Sequence, residues 1–179
     1  MPFTPNAELD LLFDESLVPK STFDTLAERG LHLRPLSSTD YSRGHLTVLA
    51  DLTSTPDIGA SRYGERFNLM KRAGTYYILV IIDKSTDEVL ATGTNMAEYK
   101  IIRDAGVIGH IEDIAVSKKA QGQKLGYHIV TALTELGETV GFYKSILDCD
   151  EKNRGFYEKC GHEYKGIQMA KYNISIVKK

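Results

Sequence analysis

Residues 109–126 constrain this chain most. An apolar strand carrying two adjacent acids, GHIEDIAV, runs within a few residues into AQGQKLG and then into an amphipathic helix. Glycines and the small Ala120 let a loop backbone approach a ligand closely, and the first N–H groups of the following helix lack intrahelical partners. With the positive end of the helix dipole behind them, such donors form a diphosphate cradle that needs no basic side chain. The run Gly122, Gln123, Lys124, Leu125, Gly126 fits neither the GxxxxGK[ST] loop nor the GxGxxG dinucleotide fingerprint. By itself the segment reads equally as a glycine-containing turn before a surface helix.

The strand before the loop carries a second constraint. Strict alternation from Ile111 would put Asp113 and Ala115 on the apolar face, yet the large apolar residues are Ile111, Ile114 and Val116. One extra residue near Glu112 and Asp113 restores the period. The pattern predicts a β-bulge, which re-aims side chains and frees backbone groups from the ladder. The plainer alternative is an edge strand with two solvated acids.

The remaining pattern is that of one α/β domain. Residues 1–30 hold Pro2, Pro5 and Pro19 among short apolar clusters and read as an N-terminal extension, with the domain over residues 31–179. A first strand is predicted over 31–34. Ser37, Ser38 and Thr39 offer N-caps for a helix bearing Leu46, Leu49 and Ala50 on one face, and Tyr63, Phe67 and Met70 give a second helical stripe. YYILVIID (76–83) and residues 89–97 read as a hairpin at the centre of a sheet. Leu125, Ile129, Ala132, Leu133, Leu136 and Val140 line one face of the helix after the cradle. A strand is predicted over 144–148, then a short helix capped by Asp150 and ending near Gly161, with Asn153 and Tyr157 on one face and Phe156 and Cys160 toward the core. Residues 169–177, with Ile174 and Ile176 alternating with polar residues, read as a strand seeking a sheet edge.

At 179 residues, 42% hydrophobic and net charge -2, the chain suits a single core and lacks the basic footprint of a nucleic-acid surface. No apolar run approaches the roughly 18 residues of a membrane span, and Glu8, Asp10, Asp14 and Glu15 stand where a leader would be basic. A soluble cytoplasmic protein with a small ligand is expected. Cys149 and Cys160 read as free thiols, and the flanking Asp148 and Asp150 disfavour a Cys149 thiolate. The five histidines lack metal-ligand spacing, so no metal is expected.

The bulged strand, the loop from Gln121 to Gly126, the helix, the next strand, and then Asn153, Phe156 and Tyr157 together resemble the GNAT acetyltransferase superfamily. Within it, GHIEDIAV, YKSILDCDEKN and FYEKCG are similar to the eukaryotic enzymes that N-acetylate glucosamine 6-phosphate. The likeness covers residues 31–169 and is absent from the first thirty. It implies a GNAT fold: a mixed central sheet with a bulged, splayed strand pair and flanking helices. Lys124 departs from the family's glycine-rich loop, which is harmless to a backbone cradle if its φ is negative.

The resemblance also implies the chemistry. Acetyl-CoA would be the cosubstrate, acetylating D-glucosamine 6-phosphate directly on the way to UDP-N-acetylglucosamine. Its diphosphate would sit on Gly122, Gln123, Lys124, Leu125, Gly126 and Tyr127, with Gln121 and Asn153 completing the cofactor motif. The bulge should leave the Ile114 N–H for the thioester oxygen, and the backbone of Ala115 and Val116 for the pantetheine arm as an added strand. Asp148 would hold the amine and help remove its proton, beside Glu112 and Asp113. Tyr157 is the candidate acid toward the leaving thiolate; a phenol near 10 opposite a thiol near 8.5 favours a strengthening hydrogen bond over full transfer. Tyr143 and Lys144 from the second chain of a homodimer with shared sites would meet the sugar phosphate, with Lys100 and Arg103 near the site and Thr53 as a substrate-contacting hydroxyl. Lys118 and Lys119 are candidates for the 3′-phosphate of CoA. The alternatives are a GNAT enzyme for a polyamine or a protein amino terminus, and a non-catalytic acetyl-CoA-binding module.

Overall fold

The structure, a computed structural model, describes residues 2–171. Five strands form one sheet in sequence order: β1 (Leu31–Pro35), β2 (Tyr76–Asp83), β3 (Glu88–Tyr99), β4 (Val107–Val116) and β5 (Phe142–Ile146). The first three pairings are antiparallel and β4–β5 is parallel. A parallel pair cannot close through a hairpin, so the chain crosses over through helix α5 (Leu125–Thr139). Helix α1 (Lys20–Ala27) lies on the same side, where Leu26 joins Leu79, Ile81, Ile111, Ile129 and Leu133. Helices α2 (His45–Ala50) and α3 (Gly59–Ala73) cover the other face, where Val48 and Phe67 meet Ile78, Val80 and Ile82. Because both faces are covered, β2 is a continuous apolar run and not an alternating one.

The bulge lies where the sequence places it. Thr92 pairs with Ala115 and Thr94 with Glu112, so Gly93 alone opposes Asp113 and Ile114. The extra residue returns Ile114 to the side of Ile111, and both pack toward α5. Asp113 absorbs the distortion with φ +54°. Gly93 cannot be larger, since a Cβ there would lie 2.5 Å from Ile114 Cδ1 and 2.6 Å from Ile129 Cγ2. A further close approach surrounds Asn95, whose amide donates to Leu133 O at 3.0 Å and Ser145 Oγ at 3.3 Å, joining β3 to α5 and β5.

Four expectations shift. Ser37, Ser38 and Thr39 do not cap α2: Asp40 turns inward to pair with buried Arg34 at 2.7 Å, and the helix starts after Gly44, which holds φ +83°. Its buried residues are His45 and Val48, with Ala50 exposed. Strand β5 spans Phe142–Ile146 and not 144–148, because Phe142 packs against Gly109 and Gly137 and fixes the register. The helix after Asp150 divides into a 3-10 turn (Glu151–Asn153) and α6 (Arg154–Lys159), and Asp150 makes no cap bond because it pairs with Lys152 at 3.1 Å. None of α6 is fully buried; Phe156 and Cys160 are half-buried. The strand expected over 169–177 lies mostly outside the described residues, and residues 169–171 are irregular.

Residues 2–30 lie against the sheet. Leu12 N donates to Leu36 O at 2.8 Å and Ser38 N to Asp10 O at 3.0 Å. Among the described residues no helix is long and apolar enough to cross a membrane.

Candidate active site

The cradle is built from two left-handed residues. Gly122 has φ +81°, and Lys124, the N-cap of α5, has φ +61°. The negative φ on which a harmless Lys124 depended is therefore not met. The loop must reverse into α5 while Leu125 drops into the core at 1% exposure, and Lys124 takes the strained conformation that this requires. The Lys124 side chain makes no cap bond and the first turn carries no acid, so the leading N–H groups of α5 have no side-chain partner. Gly126 faces Phe156 and Val116 at van der Waals distance, which docks the helix start against α6. Gln121, Gln123 and Tyr127 are exposed around this loop.

Beyond the cradle the sheet parts. The β4–β5 ladder ends at His110 and Ile146, so from Ile111 onward the β5-side edge of β4, including Ile114, Ala115 and Val116, has no strand partner among the described residues. Into this split project groups from three elements. Glu112 comes from the bulge, Asp148 from just past β5, and Tyr157 from α6, whereas Asp113 lines a separate cavity on the α2/α3 face with His45, Tyr63 and Phe67. Although both bulge carboxyls have open faces, the protein displaces enough water to raise their pKa values. Desolvation leads for Glu112, followed by the charges of Asp113 and Asp148, and desolvation acts alone for Asp113. Tyr157 is likewise raised, first by burial and then by nearby Cys149, Cys160 and Glu112. Cys149 is exposed and held above its ordinary value by burial and by Glu151, Asp150 and Asp148, so it stays a thiol.

Asp148, Cys149, Tyr157 and Lys144 line one cleft of about 770 Å³, which residues 161–168 also line. Gln168 Nε2 donates to Asp148 at 3.0 Å. Asn153 is the N-cap of α6, one turn before Tyr157. The remaining candidates are less gathered. Lys100 is tied to Glu98, whose carboxylate also meets His110 Nε2 at 2.6 Å. Arg103 sits in α4 (Ile102–Ala105), a single turn in which Arg103 and Asp104 are left-handed, and it has no acid partner among the described residues. Tyr143 packs over Gly106 beside that turn, with Lys144 Nζ 5.8 Å from its ring. Thr53 is exposed in the loop after α2, and no hydrogen bond joins it to the acids or to Tyr157.

Several groups near the site carried no sequence signal. Gln168 and His110 reach it only through the fold. Lys118 and Lys119 prove to be occupied, by Asp51 at 3.2 Å and by Glu88.

Residues 47–162 match the model of the "Acetyltransferase (GNAT) family". This chain belongs to the GNAT acetyltransferase family. A Candida albicans protein named glucosamine 6-phosphate N-acetyltransferase is 40% identical to it over 79% of this chain and 95% of that one. A Dictyostelium discoideum protein, glucosamine 6-phosphate N-acetyltransferase 1, is 39% identical over 83% and 94%. Among solved structures, Arabidopsis thaliana glucosamine-6-phosphate N-acetyltransferase superposes with a TM-score of 0.78 at 36% identity, covering 80% of this chain and 99% of that one. The mixed sheet, the α5 crossover and the parting of β4 from β5 are thus the GNAT architecture, and Glu112 stands at its split.

Proposed function

We infer that this GNAT chain transfers the acetyl group of acetyl-CoA to the amine of D-glucosamine 6-phosphate. The observation that carries this reading is the pair of relatives named for that activity, which align over nearly their whole length. The site chemistry agrees with it. Acetyl-CoA supplies the activated acyl group, and its diphosphate fits the uncapped start of α5. The unpaired edge of β4 suits a pantetheine arm, with Ile114 N–H, freed by the bulge, polarising the acyl oxygen. Glu112, Asp113 and Asp148 are assigned to the amine, and the raised pKa values of Glu112 and Asp113 suit groups that accept its proton. Tyr157 donates to the sulfur as charge develops there.

Thr53, Lys100, Arg103, Tyr143 and Lys144 are assigned to the sugar phosphate substrate, Tyr143 and Lys144 to its phosphate from a second copy of the chain. Exposed Tyr99, Ile101, Ile102 and Tyr143 gather at the β3–β4 end of the sheet and support a homodimer through that region. The product feeds UDP-N-acetylglucosamine synthesis, in the cytoplasm.

An acceptor screen with acetyl-CoA and thiol detection tests the assignment. Glucosamine 6-phosphate should release CoA far faster than glucosamine, spermine or peptide amines. Equal kcat/KM for the unphosphorylated sugar would overturn it.

A further inference from the structure

The N-terminal segment delivers a cation to the cradle. Arg29 follows α1, and its guanidinium donates to the carbonyl of Gln123 at 3.1 Å, inside the loop assigned to the diphosphate. Its other terminal nitrogen lies 3.5 Å from Nε2 of His128, in the first turn of α5. Lys124 belongs to the same cluster. His128 is held below its ordinary pKa by burial first, then by the charges of Arg29 and Lys124, and no acid opposes them.

This grouping is uncompensated. Several basic side chains elsewhere on the surface sit against carboxylates, as Lys20 does with Asp24, Lys118 with Asp51, Lys119 with Glu88 and Arg154 with Glu158. Among the described residues neither Arg29 nor Lys124 makes an ion pair, although like charges held together repel one another.

We propose that Arg29, Lys124 and His128 form the seat of the 3′-phosphate of CoA, distinct from the backbone cradle that takes the diphosphate. The proposal rests on the acetyl-CoA reading. In CoA the 3′-phosphate and the 5′-diphosphate hang from the same ribose, so a diphosphate on Gly122 and Gly126 brings the monoester within one sugar ring of Gln123. That group carries nearly two charges at neutral pH, and a guanidinium fork is the side chain best matched to it. The Gln123 carbonyl already holds Arg29 by one nitrogen, which fixes its direction. Arg29 also lies outside residues 47–162, the span of the family match.

The test compares acetyl-CoA with acetyl-3′-dephospho-CoA as donors for wild type, Arg29→Ala and Arg29→Lys. For wild type the KM ratio of the two donors should be about tenfold in favour of acetyl-CoA, eroding with added salt. In Arg29→Ala the ratio should fall toward one and lose its salt dependence, and Arg29→Lys should restore part of it. A purely structural role for Arg29 would weaken both donors alike and leave the ratio intact; that result, or full discrimination in Arg29→Ala, overturns the proposal. If neither thioester is a donor for wild type, the acetyl-CoA reading falls and takes this seat with it. If both are donors and the ratio ignores Arg29, only the seat falls.

Discussion

The phenol oxygen of Tyr63 lies 2.9 Å from Nδ1 of His45, and Nε2 of His45 lies 3.1 Å from the hydroxyl of Thr92. Both ring nitrogens are committed inside the core, next to the last residue paired before the bulge. Burial, with the nearby Arg34 charge and against the pull of Asp40, lowers His45 to about 4 from its ordinary 6.5. The folded state therefore keeps His45 neutral where the unfolded chain takes up a proton. Stability is full above 6.5 and falls as pH drops toward 4, by on the order of 3 kcal/mol from this residue. His32, also lowered to about 4, adds to the same slope. Urea melts at pH 7 and pH 5 should give a smaller loss for His45→Gln than for wild type. An identical loss would show that His45 titrates normally.

Tyr157→Phe keeps the ring against Phe156, at 4.9 Å between centroids, and removes only the hydroxyl. Where chemistry limits turnover, kcat should fall by about 10²-fold with little change in acetyl-CoA affinity. Unchanged kcat would remove Tyr157 from the reaction.

Lys124 can be replaced in two ways that both delete its charge. At φ +61° only the residue without a Cβ is free of strain, so Lys124→Gly should exceed Lys124→Ala in stability by about 1 kcal/mol. Equal melting temperatures would mean that the loop relaxes out of its left-handed turn.

Shared sites can be tested by subunit exchange. Mixing a Tyr157→Phe chain with a Lys144→Ala chain gives a heterodimer in which one site inherits both defects and the other neither, if Lys144 acts across the interface. Activity should then recover toward one intact site per heterodimer. Lys144 also lines the cleft of its own chain, so failure to recover despite verified exchange would place it there.

What the sequence disclosed was local. The cradle, the α5 stripe and the bulge are encoded by spacing within a few residues, and the skipped beat between Ile111 and Ile114 is visible without any partner strand. What it hid depends on contacts far along the chain. Strand β5 begins at Phe142 because Gly109 and Gly137 make room for that ring, and even the short-range pairing of Asp40 with buried Arg34 depends on the packing that buries them both. The dihedral of Lys124 is set by Leu125 entering the core, against the preference of a lysine. Arg29 gives no signal at all, since its neighbours Gln123 and His128 lie some hundred positions on.

The parting of β4 from β5 has a consequence for handling the protein. A row of unsatisfied strand N–H and C=O groups is a template on which another chain can pair, and most sheets end in charges, prolines or a covering helix to prevent it. On the proposed reading, this edge, which has no strand partner among the described residues, would receive an extended thioester arm. The cosubstrate would then double as a guard against self-association, and preparations stripped of CoA should turn cloudy on warming sooner than those kept saturated with it.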